Sequence, residues 1–274
     1  AQGWPYFTEH LVLATPDNGV ATAIYAACKA TVKVGDGKEI TLHEETNYPF
    51  EEGIAFTVST DEKVAFPFYL RIPSWTQKAE VRVNGKKVSA APVAGKYLCI
   101  NREWANGDRV ELTLPMSLSM RTWQVNKNSV SVDYGPLTLS LKIAEKYVEK
   151  DSRETAIGDS KWQKGADPQK WPTTEIYPDS PWNYSLVLDK KEPLKNFKVI
   201  RKSWPADNYP FTATSVPLEV KAIGRPVPEW KIDETGLCGV LPEEDAVKGD
   251  KEEITLIPMG AARLRISAFP NTKE

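Results

Sequence analysis

The feature that most constrains the fold is an alternation of apolar and polar residues in three short segments. They span residues 68–75, 81–85 and 107–115, and a Gly, Pro or Asn interrupts or ends each of them. A period of two places every second side chain on the same face of a β-strand, so one face is buried and the other meets water. Similar segments recur along most of the 274 residues, with few helical windows between them. The pattern predicts an all-β protein made of antiparallel sandwiches.

Two glycine-containing turns predict where neighbouring strands fold back on each other. Gly35-Asp-Gly37 separates two alternating segments and predicts a tight hairpin. Asn84-Gly85 is a residue pair that type I′ turns prefer, because both central residues of that turn need a positive φ. We therefore expect antiparallel strands on either side of each turn.

The length of the chain suits two domains of ordinary size. We predict two tandem antiparallel, jelly-roll-like β-sandwiches, the first at residues 18–143 and the second at residues 144–274, with residues 1–17 as the tail of a preceding region. The second contains a long exposed connection at residues 144–175, which is rich in Lys, Glu, Asp, Gly and Pro. The last predicted strand, residues 263–267, is a candidate to return to the first sandwich and make it discontinuous.

Composition excludes several classes of partner and site. With 41% apolar residues and a formal charge of -2, the chain has neither the basic excess of a nucleic-acid binder nor an apolar run of membrane-spanning length. The three cysteines, Cys28, Cys99 and Cys238, are odd in number and lack CxxC spacing, which argues against a disulfide framework and a zinc site. We predict that all three are buried as small hydrophobic residues.

A series of motifs, in family order, resembles the region that follows the catalytic barrel in the bacterial β-L-arabinofuranosidases of glycoside hydrolase family 127. The strand-and-corner motifs in the first half of the chain carry most of this resemblance, and further pieces extend it to the C-terminal end. The matching segments are residues 17–25, 44–50, 70–75, 83–85, 102–108, 114–116, 134–137, 181–184 and 256–265.

The resemblance implies that the chemistry lies outside this chain. In that family an N-terminal (α/α)₆ barrel holds a Cys-Cys nucleophile motif, a zinc ion bound by cysteines and a glutamate, and a Glu acid/base. The Cys-Cys pair precedes a Gly-Trp-Pro that is similar to Gly3-Trp-Pro5, so residues 1–17 are expected to be the tail of the barrel region. None of the three cysteines matches the nucleophile motif.

The implied role is that of a non-catalytic C-terminal sandwich portion of a glycoside hydrolase, with the barrel of the same polypeptide as its partner. The implied parent reaction is hydrolysis of L-arabinofuranosyl bonds in plant polysaccharide, for which a periplasmic or secreted location is favoured over the cytoplasm. On its own the chain is expected to be inactive and to hold no cofactor, the zinc belonging to the barrel. Whether the chain counts as an enzyme depends on that parent.

Residues that could catalyse glycoside hydrolysis unaided are hard to find. The adjacent acids are Glu44-Glu45, Glu51-Glu52 and Glu243-Glu244. Neighbouring side chains in a strand point to opposite faces, so such pairs cannot converge on one sugar bond. We predict no catalytic residue and no metal ligand in the chain.

Sugar binding is the main alternative. Trp204, Asn208, Tyr209 and Trp182 combine aromatic rings with an amide, and we predict them as candidate carbohydrate-binding residues of a plant-glycan module. Trp162 and Trp171 lie in the polar connection and are weaker candidates. The structural alternative is that these aromatic side chains seal an interface, where Trp and Tyr are enriched. An adhesion or scaffold sandwich ranks third because no repeat or anchor accompanies the strands.

Overall fold

Nearly all regular structure in the protein is β, which confirms the predicted all-β class. The computed structural model describes residues 3–155, 167–243 and 249–273. The helices within these ranges are short: α1 is Gly3–Glu9 and α2 is Ser152–Thr155, and a single 3-10 turn spans Met259–Ala261. No helix in the described ranges is long and apolar enough to cross a membrane.

The backbone divides into two compact units. Unit 1 comprises Ala1–Ser117 and the turn Tyr134–Leu137, and unit 2 comprises Leu118–Asp133 and Thr138–Glu274. The division at Ser117 lies upstream of the boundary expected at residue 143. The reason is that residues 118–133 and 138–143 belong to the sheet and core of unit 2.

Unit 1 is a sandwich of a four-stranded and a six-stranded sheet. The first has the order β1-β2-β6-β9 and the second the order β3-β4-β5-β10-β7-β8. All the pairs are antiparallel except β2 with β6. The strands are β1 (Val12–Ala14), β2 (Val20–Thr22), β3 (Cys28–Val34), β4 (Lys38–Thr46), β5 (Gly53–Ser59), β6 (Val64–Arg71), β7 (Glu80–Val83), β8 (Lys86–Lys87), β9 (Tyr97–Trp104) and β10 (Arg109–Thr113).

Aromatic side chains from both sheets fill the core of unit 1. Phe56 of the larger sheet and Phe68 of the smaller one meet edge to face, with ring centroids 5.3 Å apart. Trp104 is fully buried against Phe66 and Phe68, and its Nε1 donates a hydrogen bond of 3.0 Å to the Phe66 carbonyl oxygen. Face-to-face burial of this kind is the sandwich arrangement that the alternating segments predicted.

Both predicted turns of unit 1 are present. Gly35 and Gly37 have φ of 54° and 85°, and Val34 pairs with Lys38 across the hairpin of β3 and β4. Asn84 and Gly85 have φ of 50° and 77°, and a type I′ turn requires a positive φ at both of these positions. The turn residues therefore determine the register of these two hairpins.

Unit 2 is built on an eight-stranded sheet and a two-stranded ribbon. The sheet has the order β11-β12-β13-β19-β18-β16-β20, with β17 beside β18, and the ribbon joins β14 to β15. The pair β16–β20 is parallel. The strands are β11 (Leu118–Trp123), β12 (Ser129–Tyr134), β13 (Leu137–Leu141), β14 (Glu145–Lys150), β15 (Thr173–Pro178), β16 (Tyr184–Leu188), β17 (Lys198–Arg201), β18 (Leu218–Pro226), β19 (Glu252–Pro258) and β20 (Asn271–Lys273).

The C-terminal segment stays within unit 2. Residues 263–267, expected as the last strand, are irregular, although the Ile266 carbonyl accepts a hydrogen bond of 2.9 Å from the Leu141 N–H. Val130 and Phe269 then exchange two backbone hydrogen bonds of 2.8 and 2.9 Å, and β20 pairs with β16. The strand that precedes it, β19, lies between β13 and β18 of the same sheet.

Two further expectations were wrong. Residues 145–150 are a strand rather than an exposed connection, because they pair antiparallel with residues 173–178. The cysteines are not buried: Cys28 is half-buried, while Cys99 and Cys238 are exposed. Cys99 occupies an outward position of β9 between the inward-facing Leu98 and Ile100, so the alternation of the strand places its thiol toward solvent.

Candidate functional site

Three of the four predicted sugar-binding residues lie in one loop between β17 and β18 of unit 2. Trp204 Nε1 donates a hydrogen bond of 2.7 Å to Asn208 Oδ1, and Asn208 adopts a φ of 55°. Tyr209 is 51% exposed, and its ring lies edge to face with Phe211 at 5.8 Å. The structure thus brings Trp204, Asn208 and Tyr209 together, but it uses the Asn208 amide oxygen to hold the tryptophan.

Trp182, the fourth predicted residue, packs against the core of unit 2. Its ring meets the buried Trp230 edge to face at 5.1 Å. The following residue, Asn183, donates hydrogen bonds to the carbonyl oxygens of Val227 and Trp230 at 2.9 and 3.1 Å. This setting is that of a packing residue. Trp171 is 70% exposed, and Trp162 lies outside the described residues.

A cleft of about 630 Å³ opens in unit 2 beside the same loop. Its walls come from the start of the β14 ribbon, the segment before β16, the end of the 204–214 loop and the turn after β19. We call it the unit 2 cleft. It is lined by residues 142–145, 147, 180, 212–214, 261 and 263.

One wall of the cleft is a tyrosine held in place by a carboxylate and a guanidinium. Tyr147 donates a short hydrogen bond to Glu145 Oε2, and the backbone N–H of Arg263 donates to Glu145 Oε1 at 3.2 Å. The Arg263 guanidinium carbon lies 5.9 Å from the centre of the Tyr147 ring, and its Nε is 3.9 Å from Glu145 Oε2. The hydrogen bond to the carboxylate raises the pKa of Tyr147, so the phenol stays protonated at neutral pH.

The other walls carry hydroxyl groups that are fixed by local hydrogen bonds. Ser180 Oγ accepts a hydrogen bond of 2.9 Å from the Ala144 N–H. The Thr212 hydroxyl lies 3.1 Å from that of Thr214 and 2.7 Å from that of Ser215, which in turn donates to the Tyr209 carbonyl oxygen at 2.6 Å. The cleft and the Tyr209 loop are therefore one hydrogen-bonded structure.

The described lining residues of the cleft do not include a pair of carboxyl groups. Of its described lining residues, Glu145 is the sole carboxylate, and it already accepts two hydrogen bonds. A glycosidase that works with paired acids needs a second carboxyl group about 5–10 Å away. An aromatic ring beside fixed hydroxyls, a guanidinium and a carboxylate is instead a set of groups that can position a polar ligand.

Among the described acidic residues, Glu44 and Glu45 point to opposite faces of β4. Glu44 is buried in the core of unit 1, whereas the next residue, Glu45, is exposed. Glu52 accepts a hydrogen bond of 2.9 Å from the Met116 N–H, and Glu243 forms an ion pair of 2.6 Å with Lys127. Glu244 lies outside the described residues.

Glu44 is the most perturbed carboxyl group described. It takes an inward position in β4, where Ile40 and Leu42 precede it on the same face. Burial raises the pKa of Glu44 to about 8, although hydrogen bonds from the Ala26 N–H and the Cys28 thiol act to lower it. The Cys28 sulfur lies 3.9 Å from Oε2, and Oε1 has no hydrogen-bond partner. Burial likewise raises the pKa of Cys28, to about 11.

Metal binding finds no support among the described residues, where no group of three or more His, Cys, Asp and Glu side chains is placed to hold an ion. His10 Nδ1 lies 2.6 Å from the Tyr6 carbonyl oxygen on exposed α1, and His43 is half-buried in β4. Cys28, Cys99 and Cys238 lie in three different segments. These residues do not form the donor set that a zinc ion requires.

Sequence reasoning missed Tyr147, Arg263 and Thr214. Tyr147 lies in the stretch expected to be an exposed connection, and Arg263 lies in the segment expected to be the last strand. The spacing of Glu145 and Tyr147, two residues apart, places them on one face of a strand and could have been noticed. The cleft itself joins four separate segments, so no local motif marks it.

One region of the chain matches the model of a known protein family. Residues 19–116 match the family model described as the Beta-L-arabinofuranosidase, GH127 middle domain. These residues lie within unit 1. Because the matching domain is a middle domain, the expected C-terminal position of the chain stays a prediction. Comparison with curated protein sequences gives no significant match.

Solved structures share the fold over nearly the whole chain. A GH127 β-L-arabinofuranosidase from Geobacillus stearothermophilus T6 is similar with a TM-score of 0.63 and 21% identity, covering 97% of this chain and 35% of that one. The GH127 β-arabinofuranosidase BT3674 gives 0.60 and 22%, covering 94% and 36%. A protein described as a glycoside hydrolase gives 0.57 and 22%, covering 93% and 36%.

The solved structures share the fold of this chain over nearly its whole length, whereas the likeness to the GH127 family model is limited to residues 19–116. The chain spans 35–36% of the length of the solved structures, so their activities are properties of longer proteins. The chain is accordingly a glycoside hydrolase-related all-β protein, and its residues 19–116 are similar to the GH127 middle domain.

Proposed function

We propose that this chain is the non-catalytic β-sandwich portion of a β-L-arabinofuranosidase-like glycoside hydrolase that degrades plant polysaccharide. It packs against the (α/α)₆ catalytic barrel of the same parent polypeptide and supports it, in a periplasmic or secreted enzyme. The observation that carries the proposal is the GH127 middle domain match at residues 19–116, combined with a fold likeness that covers 97% of this chain but 35% of the enzyme compared.

The arrangement of acids supports a non-catalytic role. Glu44 and Glu45 lie on opposite faces of β4, and the carboxylate of Glu145 is held by Tyr147 and Arg263. Neither site places two carboxyl groups on one bond, as paired-acid hydrolysis requires. Zinc belongs to the barrel in this proposal, since the chain's described thiols and carboxylates form no donor set.

Helix α1 supports the proposed barrel partner. None of its residues is buried, and Trp4 and Tyr6 are 69% and 67% exposed. Isolated helices of this length are marginal in water. Trp4 and Phe7 meet edge to face at 5.7 Å, which forms a small aromatic surface suited to packing against a preceding domain.

The test compares the chain with its parent. The chain alone, assayed on an aryl β-L-arabinofuranoside, should give no rate above buffer, whereas the polypeptide that includes the reading frame before Ala1 should hydrolyse it. That reading frame should encode a Cys-Cys pair within a few residues of Ala1. The proposal is overturned if the chain alone turns the substrate over and Glu145→Gln or Glu44→Gln abolishes the rate.

A further inference from the structure

We propose that the unit 2 cleft is a binding site for a neutral oligosaccharide, in which the Tyr147 ring is the platform for one sugar unit and Arg263 orients it. This inference concerns unit 2 alone and requires neither a barrel nor hydrolysis. The binding proposal and the proposed function can therefore be tested independently, and either can be wrong while the other is right.

The cleft has the size and character of a ligand site. Its volume of about 630 Å³ falls within the range of roughly 300–1,000 Å³ typical of small-ligand pockets. Buried Ile143 and Ala261 form apolar parts of the lining, and Tyr147 is 50% exposed within it. A half-exposed ring in a cleft that also has apolar lining residues can cover the C–H face of a sugar while the polar lining groups bond its hydroxyls.

The charges in the cleft favour a neutral ligand over an ionic one. Arg263 Nε lies 3.9 Å from Glu145 Oε2, so the guanidinium and the carboxylate compensate each other's charge. The third ionic group, Lys142, donates to Glu219 at 2.7 Å and shares that carboxylate with Lys202. Beside the tyrosine ring, neither Arg263 nor Glu145 is in the surplus that a carboxylate or an amine ligand would require. A polyhydroxyl compound can accept from the guanidinium and donate to the carboxylate at once.

The hydroxyl groups of the cleft are oriented before a ligand arrives. Ser180 Oγ accepts from the Ala144 N–H, which leaves its own O–H available as a donor. Thr212 and Thr214 are joined to each other, and Ser215 ties Thr212 to the backbone of the Tyr209 loop. Pre-organised polar groups lose little side-chain entropy when they bind, which favours affinity.

The cleft is better equipped than the residues expected from sequence. Asn208 Oδ1 is bonded to Trp204, and Trp182 lies against Trp230, so their polar and aromatic faces are already used in packing. Tyr209 and Phe211 are exposed on the loop whose next residues line the cleft. They extend the site for a longer oligosaccharide, while Tyr147 and Arg263 hold its central unit.

The chain contains a matched control for the key residue. Tyr177 lies on the neighbouring strand of the ribbon, donates to Glu175 in the same two-residue spacing, and is 45% exposed, yet it is not a lining residue of the cleft. Replacing Tyr147 or Tyr177 by Ala removes the same side chain and the same hydrogen bond. A difference between the two variants therefore reports the cleft and not the ribbon.

The experiment is isothermal titration calorimetry of the full chain with linear arabino- and xylo-oligosaccharides, and with oligogalacturonides as anionic probes. We expect saturable binding of a neutral oligosaccharide, weakened about ten-fold or more by Tyr147→Ala and changed by less than about two-fold by Tyr177→Ala. Arg263→Gln should weaken it as well. In ¹H–¹⁵N spectra the amides of Ser180, Thr214 and Arg263 should shift on titration.

Four results would overturn the proposal: no saturable binding to any neutral probe, binding of the anionic probe alone, equal losses in Tyr147→Ala and Tyr177→Ala, or loss through Trp204→Ala with Tyr147→Ala unaffected. If Tyr147→Ala does not fold, Arg263→Gln and the amide shifts of the wild-type chain decide the question. Shifts confined to residues 204–209 would count against the cleft.

Discussion

Units 1 and 2 each carry a glutamate in a central strand, but they treat its charge in opposite ways. Glu44 of unit 1 is 1% exposed, and its Oε1 has no partner. Glu219 of unit 2 accepts hydrogen bonds of 2.7 Å from both Lys142 and Lys202. One site stabilises the protonated acid and the other the carboxylate, so the two units should respond to pH with opposite signs.

The physical cause is the position of each residue relative to its sheet. Glu44 continues the inward row of Ile40 and Leu42, so its carboxyl group meets apolar side chains where ionisation is costly. Glu219 lies on an alternating half-buried position of β18, within reach of lysines on neighbouring segments. Burial opposes its ionisation as well, but the two lysine hydrogen bonds outweigh burial and lower the pKa of Glu219.

The largest expected effect is the loss of stability when a buried aromatic side chain is removed from the core of unit 1. Trp104→Ala should destabilise unit 1 by about 3–5 kcal/mol, because it removes a fully buried ring together with its hydrogen bond to Phe66. Urea unfolding measures this loss. Trp171→Ala is the control: its side chain is 70% exposed, so its effect should stay within about 0.5 kcal/mol. Equal effects of the two variants would contradict the sandwich core described here.

The second effect is the pH dependence of unit 1. The folded-state pKa of Glu44, about 8, lies above its ordinary value of 4.5, so the folded state holds the proton more tightly. Its contribution is fully present below about pH 4.5 and is lost as the pH rises through 8, a change of about 4 kcal/mol between pH 5 and pH 8.5. Glu44→Gln should abolish this slope. Cys28 does not confuse the measurement, since its pKa of about 11 lies above the window.

Unfolding at pH 5 and pH 8.5, combined with hydrogen exchange of peptides from β4, measures the slope. Glu45→Gln is the matched control, because the neighbouring carboxyl group is exposed. The idea that Glu44 is protonated in the folded state fails if wild type and Glu44→Gln show the same pH slope.

The third effect has the opposite sign and belongs to unit 2. The lowered pKa of Glu219 means that its stabilisation is present above the ordinary value of 4.5 and is lost as the pH falls through the folded-state pKa. Glu219→Gln should therefore cost about 1–2 kcal/mol at pH 7 and progressively less as the pH falls below 4.5. Glu253→Gln breaks an exposed pair with Lys221 and should cost at most about 1 kcal/mol. A Glu219→Gln penalty that persists undiminished at pH 3 would contradict the ionic account.

Much of unit 1 was predictable because its signals are local. The positive φ of Asn84 and Gly85 is needed by a two-residue turn, and the opposite exposure of Glu44 and Glu45 is dictated by the strand itself. The pKa of Glu44 was not predictable, because it depends on which sheet face is covered and by which residues. A sequence shows the alternation but not what lies against it.

Unit 2 was harder because its decisive pairings are distant in sequence. Glu145 to Lys150 contains many charges and resembles a loop, yet it forms a strand through pairing with residues 173–178. The cleft combines residues 142–145, 147, 180, 212–214, 261 and 263, whose proximity is produced by the fold alone.

The smallest expected effect is a difference in the alkylation rates of the cysteines, and it reports on the Glu44 site most locally. Alkylation needs the thiolate, and burial raises the pKa of Cys28 to about 11, so this cysteine should react slowly at pH 8. Cys99 and Cys238 are exposed and should be labelled first by iodoacetamide, as peptide mass spectrometry can measure. Cys28 should become as reactive as Cys99 and Cys238 only when unit 1 unfolds in urea. Labelling of Cys28 as fast as Cys99 in the native chain would mean that the Glu44 site is open to water, and the predicted pH slope of unit 1 would then be lost with it.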